Sequence, residues 1–128
     1  MPLFEILPLL SAGVFLIVTL TTLGRPEVKR NWQIPALFFV GFLAFSIYAV
    51  VTEGPLGFWP NHIQNAWGNQ VWFDLLIAFG IAWILILPRA KAASMRLPLW
   101  LLFICFSGCI GILAMLARLL YLENQKPA

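Results

Sequence analysis

Charged residues are scarce in this sequence, at 10% of its 128 residues, whereas hydrophobic residues make up 62%. Soluble domains carry about 25% charged residues, and a chain this short has no interior that could hide the excess apolar surface. The composition therefore excludes a soluble globular domain and makes the lipid bilayer the expected partner. A net charge of +3, divided among short clusters between apolar runs, gives no indication of nucleic-acid binding.

Residues that commonly carry catalysis or bind metals are also few. His62 is the only histidine, and the two cysteines, Cys105 and Cys109, are predicted to lie on one face of a single apolar helix. No histidine or carboxylate accompanies them, so the pattern predicts neither a disulfide framework nor a four-ligand metal site. Nucleotide-binding loops, zinc-protease motifs and serine elbows do not occur in the sequence. We assign no catalytic residue, metal or cofactor, although a bound lipid or pigment remains compatible with the sequence.

Four long apolar runs account for nearly the whole chain. A membrane crossing needs about 20 mostly apolar residues, because a helix rises about 1.5 Å per residue through a core about 30 Å thick. The runs extend over 6–23, 34–51, 71–87 and 97–120. They predict an all-α integral membrane protein, a single domain folded as an antiparallel bundle of four transmembrane helices.

Lysine and arginine are distributed unevenly between the connectors. They occur in connectors 24–33 and 88–96, whereas the connector from Thr52 to Gln70 contains none. The positive-inside rule places the two basic connectors in the cytoplasm, and both termini outside. The outer connector is rich in aromatic and uncharged polar residues, so we expect a short interfacial segment between the second and third helices. Trp59, Trp67 and Trp72 are the expected interfacial aromatics at this boundary.

Small residues in the last two runs indicate where helices could pack closely. Transmembrane helices associate through residues that let their backbones approach. Ser107, Gly108 and Gly111 provide such a surface on the fourth predicted helix, and Ala78 and Ala82 provide one on the third. We therefore expect these two helices to pack against each other.

Asp74 and Arg118 are the charged residues that lie inside predicted spans. The predicted topology brings both near the outer face, where an ion pair would explain how each is tolerated. With Glu53 and His62, they could instead line a polar pocket beneath the outer connector. A purely structural pair, with Arg118 extending towards water, is the alternative that the sequence leaves open.

The second half of the chain carries a short recognisable pattern. From Trp67 it reads Trp-Gly-Asn-Gln-Val-Trp-Phe-Asp-Leu-Leu, followed by a basic connector and a glycine-bearing run that ends Ala-Arg-Leu-Leu-Tyr-Leu-Glu. This arrangement resembles a group of small bacterial multi-pass membrane proteins that share a domain of unknown function. The resemblance implies a location in the bacterial inner membrane, and it implies no activity.

Three functions are compatible with these features. The first is a non-enzymatic accessory or assembly subunit that binds other membrane protein subunits or further copies of itself. The second is a small membrane enzyme or binding protein for a lipid, quinone or isoprenoid, with the polar pocket near the outer face. The third is an oligomeric transporter, for which a polar stripe through all spans would be needed.

Overall fold

The computed structural model describes residues 3–24 and 31–126, and every regular element in those two ranges is a helix. The helices are α1 (Leu3–Leu20), α2 (Gln33–Glu53), α3 (Phe58–Ile63), α4 (Ala66–Ala92), α5 (Leu97–Ser107) and α6 (Cys109–Gln125). Helices α1, α2 and α4 are long and apolar enough to cross a membrane, and α5 is apolar but shorter. The helical fold class is confirmed, but the fourth predicted span is two helices instead of one.

Helix α1 belongs to a separate compact unit, residues 1–30, and is described by itself. It contains no buried residue, and its first turn carries Glu5. The hydroxyl groups of Ser11 and Thr19 donate hydrogen bonds to carbonyl groups of the preceding turn. Because these polar groups are satisfied within the helix, α1 presents an almost entirely apolar exterior.

Helix α4 is longer than its apolar run predicts, because a capping residue starts it early. Asn65 has extended backbone angles, and its side chain accepts a hydrogen bond of 2.8 Å from the Gly68 N–H. This is the arrangement of a helix N-cap, so α4 begins at Ala66 and not near residue 71. At the other end, the Met95 N–H donates to the Ala90 carbonyl, and Ser94 adopts a left-handed φ of 58°. That pattern is a Schellman turn, which ends the helix and directs the chain towards α5.

Gly108 divides the fourth predicted span. Its backbone angles, φ 62° and ψ −124°, lie in a region that residues with a Cβ rarely adopt. The chain reverses there. An added Cβ on Gly111 would lie 2.8 Å from the Ile104 Cα, a contact that residues seven apart in a straight helix could not make. Helices α5 and α6 therefore form an antiparallel hairpin, and Cys105 and Cys109 lie in different helices.

Helix α6 is the centre of the unit formed by residues 31–128. It packs against α2, α4 and α5 through a stripe of buried positions at Ile110, Gly111, Met115 and Leu119. The facing residues include Ile86 and Ala90 of α4 and Ile104 of α5. Met115, Leu119 and Ala90 are fully enclosed at the middle of this small core.

The tip of the hairpin lies beside the middle of α4. The Phe79 ring is 3.0 Å from the position of a Cβ added to Gly108, and Phe79 lies thirteen positions from each end of α4. At about 1.5 Å per residue, the tip is about 20 Å from either end of that helix. The hairpin therefore extends along only half of α4 and then returns.

The expected packing residues have mixed outcomes. Gly108 and Gly111 make close contacts, but Gly111 of α6 faces Ile104 and Ser107 of α5 across the hairpin and not α4. Ala82 is half-buried, whereas Ala78 is exposed. The contact between α4 and the hairpin tip uses Phe79 instead of the expected alanine stripe.

Candidate functional site

An open cavity lies between the two arms of the hairpin, at the end away from Gly108, which we call the open end. Its volume is about 480 Å³. The lining residues come from the turn after α4 and from both arms: Ser94, Met95, Arg96, Leu99, Trp100, Phe103, Arg118 and Leu122. We call this the basic groove, because two arginines share it with apolar walls.

The arginines of the basic groove differ from the neighbouring Arg89. Arg89 donates two hydrogen bonds of 2.8 Å to the Glu123 carboxylate, and both charges are thereby compensated. Among residues 3–24 and 31–126, no carboxylate forms an ion pair with Arg96 or Arg118. The Arg118 guanidinium lies 5.7 Å from the Tyr121 ring centroid, and both arginines are exposed. The groove therefore has an uncompensated positive charge beside an apolar surface.

A second cluster surrounds His62, at the corner between α3 and α4. The centroid of the His62 ring lies 5.0 Å from that of Trp72 and 6.0 Å from that of Phe58. The Trp59 ring packs edge to face against Trp72. The Asn69 side chain donates a hydrogen bond of 2.7 Å to the His62 carbonyl. The His62 Nδ1 atom is buried and makes no hydrogen bond within the described residues. Two of the three expected interfacial tryptophans belong to this cluster, whereas Trp67 is 77% exposed.

Asp74 lies on the exposed surface of α4. Because the helix begins at Ala66, the carboxylate is about 12 Å from the helix start and not in its first turn. Within the described part of the chain, the structure records no hydrogen bond or ion pair for it.

The structure does not bring the four predicted site residues together. Arg118 lines the basic groove together with Ser94 and Met95, in the turn that follows α4. Asp74 is eighteen positions before Ala92, the last residue of α4, which is about 27 Å along the helix axis. Glu53 ends α2 and is exposed, and His62 is half-buried against the rings of Phe58 and Trp72. The expected pair between Asp74 and Arg118 is therefore not formed.

Two contacts show where the last turn of α6 lies. Besides the pair between Arg89 and Glu123, the Lys126 Nζ donates a hydrogen bond of 3.1 Å to the Ala92 carbonyl. These contacts place the end of α6 beside the connector 88–96, whereas the four-span prediction put them on opposite sides. The reversal at Gly108 is the reason, because α6 returns to the end from which α5 departs.

The basic groove was not predicted from the sequence. Arg96 and Arg118 are separated by a continuous apolar run, and only the reversal at Gly108 brings them to one cavity. The sequence signal that could have indicated it is Gly108 with the preceding Ser107, halfway along a run long enough to divide. Comparison with protein-family models, curated proteins and solved structures finds no match for this chain.

Proposed function

We propose that this chain is a multi-pass protein of the bacterial inner membrane that serves as an accessory or assembly subunit of a larger membrane complex. The observation that carries the proposal is Asp74, an exposed carboxylate on an apolar helix without a partner among the described residues. In the assembled complex, a basic or hydrogen-bonding group of a neighbouring subunit would satisfy it.

The depth of Asp74 supports this role. Helix α4 has 27 residues, a length of about 40 Å, so about 5 Å projects from each side of a 30 Å hydrocarbon core. Centred in this way, α4 puts Arg89 and Lys91 at one boundary and Asp74 about 7 Å inside the other. A carboxylate costs about 2.5–3.5 kcal/mol at the centre of a membrane helix and less towards the boundary. A partner subunit would remove that cost.

The limited burial within the chain supports the same role. In α2, Pro35 is the buried residue, and α1 has none. The half-buried positions of α2 form one stripe, which includes Phe39, Leu43 and Ser46, and its other faces are exposed. Helices with so much exposed surface can face lipid or neighbouring helices. An accessory subunit would contact lipid with some of these faces and the other subunits with the rest.

The charge distribution supports an orientation. Arg89, Lys91, Arg96, Arg118 and Lys126 all belong to one end of the unit, the end where α6 finishes. Trp32, which precedes α2, packs edge to face against Tyr121, with 5.7 Å between the ring centroids. Helix α2 therefore begins at this end too. By the positive-inside rule this end is cytoplasmic. The C-terminus is then cytoplasmic, and the corner of α3 and α4 is outside. The external N-terminus stays a prediction from the sequence.

The test is co-purification of the tagged full chain with and without the Asp74 charge. Membranes from the source cells are dissolved with a styrene–maleic acid copolymer, and the particles are sized and their proteins identified. We expect the wild-type chain in a large complex, with recovery of the partner reduced at least tenfold by Asp74→Asn. Glu53→Gln, which removes the other acidic charge of the outer end, should leave recovery unchanged.

Two outcomes would contradict the proposal. The first is a wild-type particle that contains only this chain and lipid. The second is a partner that binds Asp74→Asn and the bulkier Asp74→Leu as well as it binds the wild-type chain. An unfolding midpoint in sodium dodecyl sulfate, measured for each variant, shows whether the chain itself stays folded. Because Asp74 has no partner among the described residues, we expect that midpoint to stay constant or to rise.

A further inference from the structure

The basic groove has the properties of a lipid site. Its two cationic side chains, Arg96 and Arg118, have no carboxylate partner within the described residues. Next to them, Leu99, Phe103 and Leu122 provide an apolar wall, and Trp100 is half-buried at the same cavity. A ligand that fits both parts needs an anionic head and a hydrocarbon tail.

We propose that the basic groove binds one anionic phospholipid of the cytoplasmic leaflet. The phosphate would accept hydrogen bonds from the guanidinium groups of Arg96 and Arg118, since guanidinium groups match phosphate oxygens geometrically. An acyl chain would lie along Leu99 and Phe103 towards the tip of the hairpin. The proposal uses the membrane orientation given above, but it does not depend on Asp74 or on a protein partner.

The position of the groove favours a lipid over a soluble phosphate compound. The groove is at the open end of the hairpin, beside Arg89 and Lys91, where α4 reaches the boundary of the hydrocarbon core. Basic pockets between membrane helices on this side commonly bind anionic head groups. A soluble phosphate would use the two arginines and leave the apolar wall exposed to water. A phospholipid covers both surfaces.

A bound phospholipid would also occupy the space between the two arginines at the open end of the hairpin. Arg96 and Arg118 line one cavity there, and a phosphate between them would reduce the repulsion between their like charges. At the other end of the hairpin the arms are in close contact, because a Cβ added to Gly111 would lie 2.8 Å from the Ile104 Cα.

The experiment is lipid binding by the purified full chain, followed by native mass spectrometry. The probes are phosphatidylglycerol and phosphatidylcholine with identical acyl chains, offered at equal concentration. We expect one phosphatidylglycerol to be retained in preference to phosphatidylcholine, and its affinity to fall about fivefold in each of Arg96→Gln and Arg118→Gln. The matched control is Lys91→Gln, which removes an equal charge from the same end but not from the groove. It should change the affinity less than twofold.

Further variants distinguish a specific lipid-binding site from non-specific electrostatic attraction to anionic lipid. Arg96→Lys and Arg118→Lys keep the charge, so we expect them to retain more binding than the glutamine variants. Leu99→Asn should weaken phospholipid binding, because it makes the apolar wall polar. Glycerol 3-phosphate, offered at millimolar concentration, should not displace the lipid. Asp74→Asn should leave lipid binding intact, which distinguishes this site from the proposed subunit contact.

Three results would overturn the proposal. Equal losses in Lys91→Gln and in the groove variants would indicate non-specific attraction to an anionic surface. Displacement by glycerol 3-phosphate would indicate a site for a soluble phosphate compound. Retention of phosphatidylcholine as strongly as phosphatidylglycerol would show that the arginines do not select the head group. We expect the helical content of each variant, measured by circular dichroism, to equal that of the wild type, because the substituted arginines are exposed.

Discussion

At the residue scale, Gly68 determines how tightly α3 can fold against α4. A Cβ added at this position would collide with the carbonyl oxygen of Asn61 and lie 3.1 Å from the carbonyl carbon of His62. Both are backbone atoms, so a side-chain rotation cannot relieve the contact. Gly68 is therefore a requirement of the corner that holds His62 between Phe58 and Trp72.

We expect Gly68→Ala to lower the free energy of unfolding by about 1–3 kcal/mol, the usual cost of overpacking. The measurement is unfolding by sodium dodecyl sulfate, with near-ultraviolet circular dichroism to report the packing of Trp72. Gly80→Ala in the same helix is the control, because a Cβ there meets nothing within 4 Å. Equal stability of the two variants would mean that α3 does not rest on α4 in the protein.

The expected ion pair between Asp74 and Arg118 shows why contacts between charged residues are difficult to predict from the sequence. The sequence gives the depth of Asp74 and Arg118 only if each span is straight and complete. Asp74 is indeed within an apolar helix, but Arg118 follows a reversal of the chain and lies at the opposite end. The sequence therefore identifies Asp74 and Arg118 as charged residues within apolar runs. The distance between them depends on the backbone conformation at Gly108, which the sequence does not reveal.

At the scale of elements, the hairpin is the feature that hydropathy could not resolve. A continuous apolar run from 97 to 120 satisfies the length of one span. Hydropathy does not report the direction of the chain, and a glycine such as Gly108 is also typical of close packing between membrane helices. The other elements were predictable: α1, α2 and α4 overlap the first three predicted spans, and α3 occupies the expected interfacial segment. Their boundaries moved because Asn65 caps α4 and Pro88 does not end it.

The hairpin predicts a short distance between its arms. Leu99 and Leu122 both line the basic groove. In one continuous helix, the 23 positions between them would span about 35 Å. We expect nitroxide labels at these two positions, with Cys105 and Cys109 replaced by alanine, to give a distance well below 35 Å in pulsed electron paramagnetic resonance.

A labelled pair within one helix calibrates that measurement. Labels at Ile77 and Leu85 of α4 lie eight positions apart and should report about 12 Å between their backbone positions, with or without the hairpin. A distance near 35 Å for the first pair would mean that α5 and α6 form one continuous helix. Gly108→Leu should shift the distribution towards that longer distance, because leucine rarely adopts the backbone angles observed at Gly108.

At the scale of the whole molecule, the hairpin brings the end of α6 back to the end of α4. With four complete spans, the C-terminus would lie opposite the basic connector 88–96. With α5 and α6 as a hairpin, the chain returns to that connector, and Lys126 reaches Ala92. The second arrangement also puts Arg118 and Lys126 with Arg89 and Lys91 of α4 and with Arg96, which precedes α5. Four complete crossings would instead separate Arg118 and Lys126 from the connector 88–96, which the structure brings close to them.

We therefore expect the C-terminus to be cytoplasmic. A green fluorescent protein fused after Ala128 should fluoresce in a bacterial host, because it folds in the cytoplasm, and an alkaline phosphatase fused there should be inactive. An internal control is a cysteine at Asn61, in the corner of α3 and α4, which should react with an impermeant maleimide from outside when Cys105 and Cys109 are alanine.

Active phosphatase at the C-terminus, with the cysteine at Asn61 still labelled from outside, would mean that α5 and α6 cross the membrane as one span. That result would remove the hairpin and also the basic groove, since Arg96 and Arg118 could then no longer share a cavity. Inactive phosphatase would leave the groove in place and make lipid selection the deciding measurement.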